Sequence, residues 1–213
     1  MALDFSEATN NTGIVQQTRF LMRVDSNQWP TAKIVNSCNN WLDFVAGYMI
    51  GADKRFDWDD TNHTKLPIGT TDLVLNQTDY SFLTDEQGNN IVTLLEIALV
   101  DANGKETRLQ TIDRSDSNYL EEEFGTVTGT PNKYDKLSDN IVRLDTKPDA
   151  NAVSTYDLKF YFQRTPSYFA ATDTTKEPGV SPLLHRGFVV ASAYDGALTL
   201  GLPNLQFLAA ERT

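Results

Sequence analysis

The sequence predicts an α+β protein: an antiparallel β-sandwich or small barrel, flanked by an N-terminal helix and by C-terminal helices that pack together. Three observations lead there. Ile34, Cys38, Trp41, Val45 and Met49 recur at i, i+4, i+7, i+11 and i+15, which is one face of an α-helix. Tyr156, Leu158, Phe160 and Phe162 alternate with Asp157, Lys159, Tyr161 and Gln163, the period of a strand with one buried face. Asn103-Gly104 lies between two runs of strand-forming residues and supplies the positive φ that a tight hairpin needs.

Taken in order, the first dozen residues hold few apolar side chains and are expected to be loose, because little burial offsets the entropy of ordering them. Ile14 to Val24 forms a short element that the pattern leaves open between helix and strand. The helix over 30–51 starts at Pro30-Thr31 and is expected to end at Gly51 as a left-handed cap. Asn36, Asn39, Asn40 and Asp43 occupy its polar face, and Cys38 on the apolar face reads as a packing residue.

Beyond residue 55, β-branched and aromatic runs alternate with turn residues. Asp72–Leu75 and Tyr80–Leu83 flank the turn 76–79, and 90–100 with 106–112 flank Asp101–Lys105. Ser117–Phe124 reads as a short helix ending at Gly125. Lys133–Leu137 and Ile141–Leu144 bracket a turn at 138–140, and Val153–Gln163 is a strand. Residues 164–182 read as a long Thr-, Pro- and Asp-rich loop, of a length that usually binds something or is ordered by a partner. Pro182 opens a helix carrying Leu184, Phe188, Ala191, Tyr194, Asp195 and Leu198, Gly201 stops it, and Leu205–Arg212 begins another. The expected organisation is an arm and helix over 1–55, a β domain over 56–165, a docking loop over 166–182 and helices over 183–213 that pack with the N-terminal helix.

The chain has 213 residues and a net charge of -11, with 18 basic against 29 acidic side chains. A phosphate-gripping protein gathers Lys and Arg on one face, so a tightly held nucleic acid is a poor expectation. An acidic surface can still face DNA that must slide past it. One cysteine permits no intramolecular disulfide and no multi-cysteine metal site, in keeping with synthesis in a reducing cytoplasm. No run of roughly 18 apolar residues that would span a membrane occurs, and no signal-peptide pattern opens the chain.

Catalytic signatures are missing. His63 and His185 have no metal-pair spacing, and His185, beside Arg186, reads as a capping or interface residue. Asp57-Trp58-Asp59-Asp60 crowds carboxylates without the ligand spacing, glycine and distal glutamate of a calcium loop. Glu121-Glu122-Glu123 reads as a solvated helix face, and Asp85-Glu86 as turn residues before Gly88. Gly125–Thr130 lacks the lysine and helix of a phosphate loop. The aromatic and basic run Lys159–Arg164 is explained by sheet alternation without RNA. No enzyme, no cofactor and no metal is therefore expected.

Three stretches carry a family resemblance. They are Leu66-Pro67-Ile68-Gly69-Thr70-Thr71-Asp72-Leu73; Leu158-Lys159-Phe160-Tyr161-Phe162-Gln163-Arg164-Thr165-Pro166-Ser167-Tyr168-Phe169; and Asp173-Thr174-Thr175-Lys176-Glu177-Pro178-Gly179-Val180-Ser181-Pro182 running into Leu184-His185-Arg186-Gly187-Phe188. They resemble tailed-bacteriophage virion proteins of the head-to-tail connector, the adaptor or neck proteins. The resemblance implies a ring homo-oligomer, commonly of twelve copies, docked on the portal protein and an adjacent tail or neck protein. DNA would pass through the channel without specific binding. Such a chain is made in the host cytoplasm and resides in the virion, with no membrane partner.

On this reading Ser167, Tyr168, Phe169, Asp173, Lys176, His185 and Arg186 are the expected subunit or partner interface. Deleting Ser167–Lys176 is expected to leave a folded monomer that cannot assemble. Two alternatives stand beside it. One is a virion β-sandwich that recognises a carbohydrate or receptor, with Trp58 between Asp57 and Asp59 as the candidate patch. The other is a stopper or tail-terminator ring.

Overall fold

A computed structural model describes residues 2–52, 68–85, 88–112 and 125–212. The fold is α+β, and the chain divides into two compact units. One comprises Met1–Leu66 with Pro166–Thr213, the other Pro67–Thr165. The segment 166–182 belongs to the first, helical unit.

In the helical unit, Ile14–Met22 is helix α1 and Thr31–Ala52 is helix α2. A 3-10 turn at Pro182–Leu184 leads into α4 (His185–Leu200), and α5 (Leu205–Arg212) follows; α3 (Ala150–Thr155) lies in the other unit. The ambiguous 14–24 stretch is thus helical. It closes on Arg23 in the left-handed conformation, φ 58°. Gly51 does not end α2, which runs on through it to Ala52; the stop expected at Gly201 after α4 does form, left-handed at φ 65°.

Helix α4 is the centre of this unit, and α1, α2 and α5 all pack on it. Phe188, Val189, Val190, Ala191, Ser192, Ala193, Gly196 and Ala197 are buried, so little of its surface reaches solvent. The buried face of α2 is Ile34, Cys38, Leu42 and Ala46, with Trp41, Val45 and Met49 packed at its margin. The 3.6-residue period found the stripe, although Leu42 and Ala46 define its centre better than Trp41 and Val45 do.

The N-terminal dozen departs from expectation. Leu3 is 8% exposed and Phe5 is fully buried in the same core. Burying a phenylalanine and a leucine stabilises by roughly 2 kcal/mol each, enough to help order a short arm that also finds backbone partners.

The β unit contains β1 (Ile68–Asp72), β2 (Asp79–Ser81), β3 (Ile91–Asp101), β4 (Glu106–Arg108), β5 (Gln110–Ile112), β6 (Thr128–Gly129), β7 (Lys133–Ser138), β8 (Ile141–Leu144), β9 (Lys147–Pro148), helix α3 (Ala150–Thr155) and β10 (Tyr156–Arg164). One sheet has the order β1-β10-β3-β4 and is antiparallel throughout. The second has the order β2-β8-β7-β5, in which β5 and β7 run parallel, and β6 and β9 form a small parallel pair. Leu94, Ile97, Leu99, Leu158, Phe160 and Phe162 of the first sheet share a core with Tyr80, Tyr134, Val142 and Leu144 of the second. The result is a sandwich, and among the described residues no closed barrel forms.

Several local expectations need correction. The runs around 72–75 and 80–83 do not pair with each other, since β1 and β2 lie in different sheets. Between them Leu73 is buried, the Val74 amide donates to the Tyr80 hydroxyl at 3.0 Å, and the Asn76 amide donates to the Pro148 carbonyl. The hairpin at Asn103-Gly104 forms, with Gly104 at φ 78°. Its second strand breaks at Leu109, however, which is buried and donates its amide to Ile97, so that 110–112 joins the other sheet.

Val153, Ser154 and Thr155 are helical rather than extended, because Asp149 caps α3 by accepting the Ala152 amide at 2.7 Å. Gly69 lies opposite Phe160, whose ring sits where a Cβ would stand. The expected helix at 117–124 lies outside the described residues.

Candidate functional site

Three elements of the helical unit converge on one junction: the N-terminal arm, the segment 166–181 and the start of α4. The segment has neither helix nor strand, yet its own chain holds it. Asn39 on α2 grips Phe169 from both sides of the peptide. Its Oδ1 accepts the Phe169 amide at 2.9 Å, and its Nδ2 donates to the Phe169 carbonyl at 3.0 Å. One turn further along α2, Asp43 Oδ1 accepts the Tyr168 hydroxyl at 2.5 Å. Burial first, and then the adjacent carboxylate, push that phenol up to about 12.

Lys176 ties the segment to itself. Its Nζ donates to Ser167 Oγ at 2.8 Å and to the Tyr168 carbonyl at 2.7 Å, with Asp173 Oδ2 at 3.9 Å and the Phe169 ring centroid at 5.8 Å. Asp173 accepts the Ala170 amide at 2.8 Å. Phe169 itself is 3% exposed, stacked on Phe5 at 4.6 Å and edge-on to Phe188 at 6.5 Å.

The arm lies along this segment. The Phe5 amide donates to the Lys176 carbonyl at 2.7 Å and the Ser6 amide to the Thr174 carbonyl at 2.9 Å. The arm's own carbonyls then serve α1, which has no side-chain cap. Asp4 and Phe5 accept the amides of Ile14 and Val15, each at 3.0 Å, satisfying donors that the first turn of a helix leaves over. Glu7 turns the chain back by accepting the Thr9 and Asn10 amides and the Thr12 hydroxyl. These bonds, that from Asn10 foremost, hold its carboxyl below the usual range.

His185 closes the junction. Its ring is 1% exposed. Nδ1 accepts the Leu3 amide at 2.9 Å, and Nε2 lies 3.0 Å from the Val180 carbonyl. An amide can only donate and a carbonyl can only accept, so the ring is neutral with its proton on Nε2. Burial pushes its pKa below the ordinary histidine value.

The seven residues expected at an interface therefore divide. Ser167, Tyr168, Phe169 and Asp173 gather around Lys176, and His185 is bound to the arm that lies along them, so these residues organise their own chain. Phe169 and His185 are core residues, which removes them from any surface contact in this state. Arg186 is exposed on α4. Deleting Ser167–Lys176 would take out Phe169 and both arm-binding carbonyls, so a folded monomer is no longer the expected product. The composition of 166–181 concealed this. What could have exposed it was the pair of large apolar residues in the segment, Phe169 within Tyr168–Ala171 and Val180 after Gly179, both of which are buried.

Elsewhere, Cys38 is buried and its thiol is pushed up by desolvation. Asp85 is a turn residue as expected, its carbonyl accepting the Gly88 amide at 3.1 Å, and its side chain is also largely buried. It accepts the Asn89 amide at 2.8 Å and lies 3.3 Å from Arg164 Nε, both side chains being largely buried. Lys159 and Tyr161 are both bound to Glu106, at 2.5 and 2.8 Å, which gives the polar side of that strand a structural occupation.

Among the described residues no group of three His, Cys, Asp or Glu is placed to hold a metal, and no helix is long and apolar enough to cross a membrane. Trp58 with its flanking carboxylates, His63 and Glu121–Glu123 lie outside the described residues. No family model matches the chain, and neither does any curated protein.

Sequence reasoning missed a second feature, the exposed apolar surface of the helical unit. On α2, Trp41 stacks on Phe44 at 5.0 Å and Phe44 meets Tyr48 at 4.8 Å. Phe44 and Tyr48 are 52% and 68% exposed. They border a shallow depression of about 560 Å³ together with Asp43, Gly47 and Gly51. Phe20 on α1, Leu183 and Phe207 are more than half exposed as well.

Proposed function

We propose that this chain is a structural virion protein, one subunit of a ring in the head-to-tail connector of a tailed phage. It would join portal to tail around the DNA channel. The observation that carries the reading is the row Phe44–Tyr48, exposed on a helix whose other face is fully packed. Large aromatic side chains left in water on an ordered helix are the mark of a contact surface. The resemblance of the three quoted stretches to connector proteins supplies the kind of contact.

A ring needs heterologous contacts, in which one patch of a subunit meets a different patch of the next. Several separate apolar projections, Phe20, Leu183 and Phe207 besides the α2 row, suit that arrangement. The acidic balance of -11 suits a surface along which DNA slides without sticking.

The experiment mixes purified chain with portal rings of the same virus and follows mass by light scattering and sedimentation. The wild type is expected to enter a ring-sized complex. The double variant Phe44→Ser/Tyr48→Ser is expected to keep its circular dichroism and stay out. A wild-type chain that never joins the portal or itself at any concentration contradicts the proposal.

A further inference from the structure

The junction at His185 has a property that the ring reading does not use. Its two ring nitrogens face opposite demands, an amide donor at Nδ1 and a carbonyl acceptor at Nε2. Only the neutral imidazole meets both. A proton added at Nδ1 would set two donors, the imidazolium N–H and the Leu3 N–H, nose to nose at 2.9 Å. The ring cannot turn to water for relief, because it is 1% exposed.

We propose that His185 is an acid-sensitive latch on the N-terminal arm, holding residues 2–7 docked while neutral and releasing them when it takes a proton.

The neighbourhood sets the balance. The Val180 carbonyl, the Glu177 carboxylate and the Pro178 carbonyl, all from the segment before α4, favour the imidazolium, whereas the ring's burial opposes it. Burial is the largest effect. The sign follows: the arm-free state binds the proton at the ordinary histidine value of about 6.5, the docked state only below it. Docking is therefore at full strength above about pH 6.5 and weakens as pH falls through the window beneath.

Release has a definite structural content. The Phe5 ring leaves Phe169, and the first amides of α1 lose the Asp4 and Phe5 carbonyls. The Glu7 turn is not the trigger, since its carboxyl is held below the usual range and keeps its charge through this window. Nothing in this device requires the ring reading, and its test does not depend on assembly.

The test is amide hydrogen exchange of the full chain by NMR from about pH 8 to about pH 5, read as protection factors at Leu3, Phe5 and Ser6. In the wild type these are expected to fall by about tenfold per pH unit inside the window, while amides of α4 keep theirs. In His185→Gln, whose amide can also accept and donate but does not titrate here, they are expected to stay level.

Wild-type protection unchanged down to about pH 5 would overturn the proposal, as would a parallel loss in His185→Gln. Should that variant not fold, the ring nitrogen shifts of wild-type His185 decide. An imidazolium signal with Leu3 still protected sinks the latch; proton uptake coincident with loss of Leu3 protection supports it.

Discussion

Leu3 and His185 stand 182 positions apart and share a 2.9 Å hydrogen bond, amide to imidazole. That bond makes the N-terminal arm a structural member of the helical unit. Leu3 and His185 thus bear on whether the arm, the 166–181 segment and α1 act together.

Gly13 tests how the arm is seated. A Cβ at this position would lie 2.2 Å from the Glu7 backbone nitrogen, and backbone cannot move aside as a side-chain end can. Gly13→Ala is expected to lift the arm at every pH, with a loss of about 1–3 kcal/mol in denaturant unfolding. Unchanged stability and full protection of the Phe5 amide would show that the arm is not held this closely.

Asn39 tests whether the segment is locked from within. Asn39→Leu keeps bulk but strands the Phe169 amide and carbonyl, at a cost of about 1–3 kcal/mol for each buried group left unpaired. Deleting Ser167–Lys176 should do far more and leave the helical unit unfolded by circular dichroism. A native spectrum from the deletion would mean that the segment is dispensable to its own chain.

The Asp85–Arg164 pair tests the β unit. Both side chains are largely buried, at 8% and 5% exposure. Arg164→Met leaves Asp85 as a buried charge without this partner and should cost about 3–5 kcal/mol. A double-mutant cycle with Asp85→Asn measures the coupling, and additive losses would deny it.

Tyr168 gives a prediction at alkaline pH. Its phenol titrates at about 12 in the fold, above the ordinary value of about 10. Its contribution is complete below about pH 10 and is lost as pH rises through 12. Ultraviolet titration of the wild type against Tyr168→Phe should assign to this position a tyrosine ionising about two units late, and Asp43→Asn should bring it down. An unshifted transition would refute the Tyr168–Asp43 bond.

The parts of the fold legible in the sequence were those governed by one local rule. The α2 stripe, the Asn103-Gly104 hairpin and the Leu158–Phe162 alternation each follow from side-chain period or turn chemistry alone. What could not be read depends on distant partners. Asn76 needs Pro148, Leu109 needs Ile97, and Phe5 needs Phe169.

The same division holds at the candidate site. Ser167, Tyr168, Phe169 and Asp173 meet at Lys176, and His185 holds the arm that runs beside them. Their inward role comes from Asn39 and the arm, which no local pattern connects to them. The exposed Phe44–Tyr48 row escaped notice because a helix period shows which face is apolar, not which apolar residues stay uncovered.

Cryo-electron microscopy of the intact virus particle, centred on the neck, addresses the proposed function most directly. The expected density is a closed ring of copies of this chain beneath the portal, with Phe44 and Tyr48 buried at a subunit or portal contact. A neck reconstructed completely without this chain, or a ring in which that aromatic row faces open solvent, would contradict it.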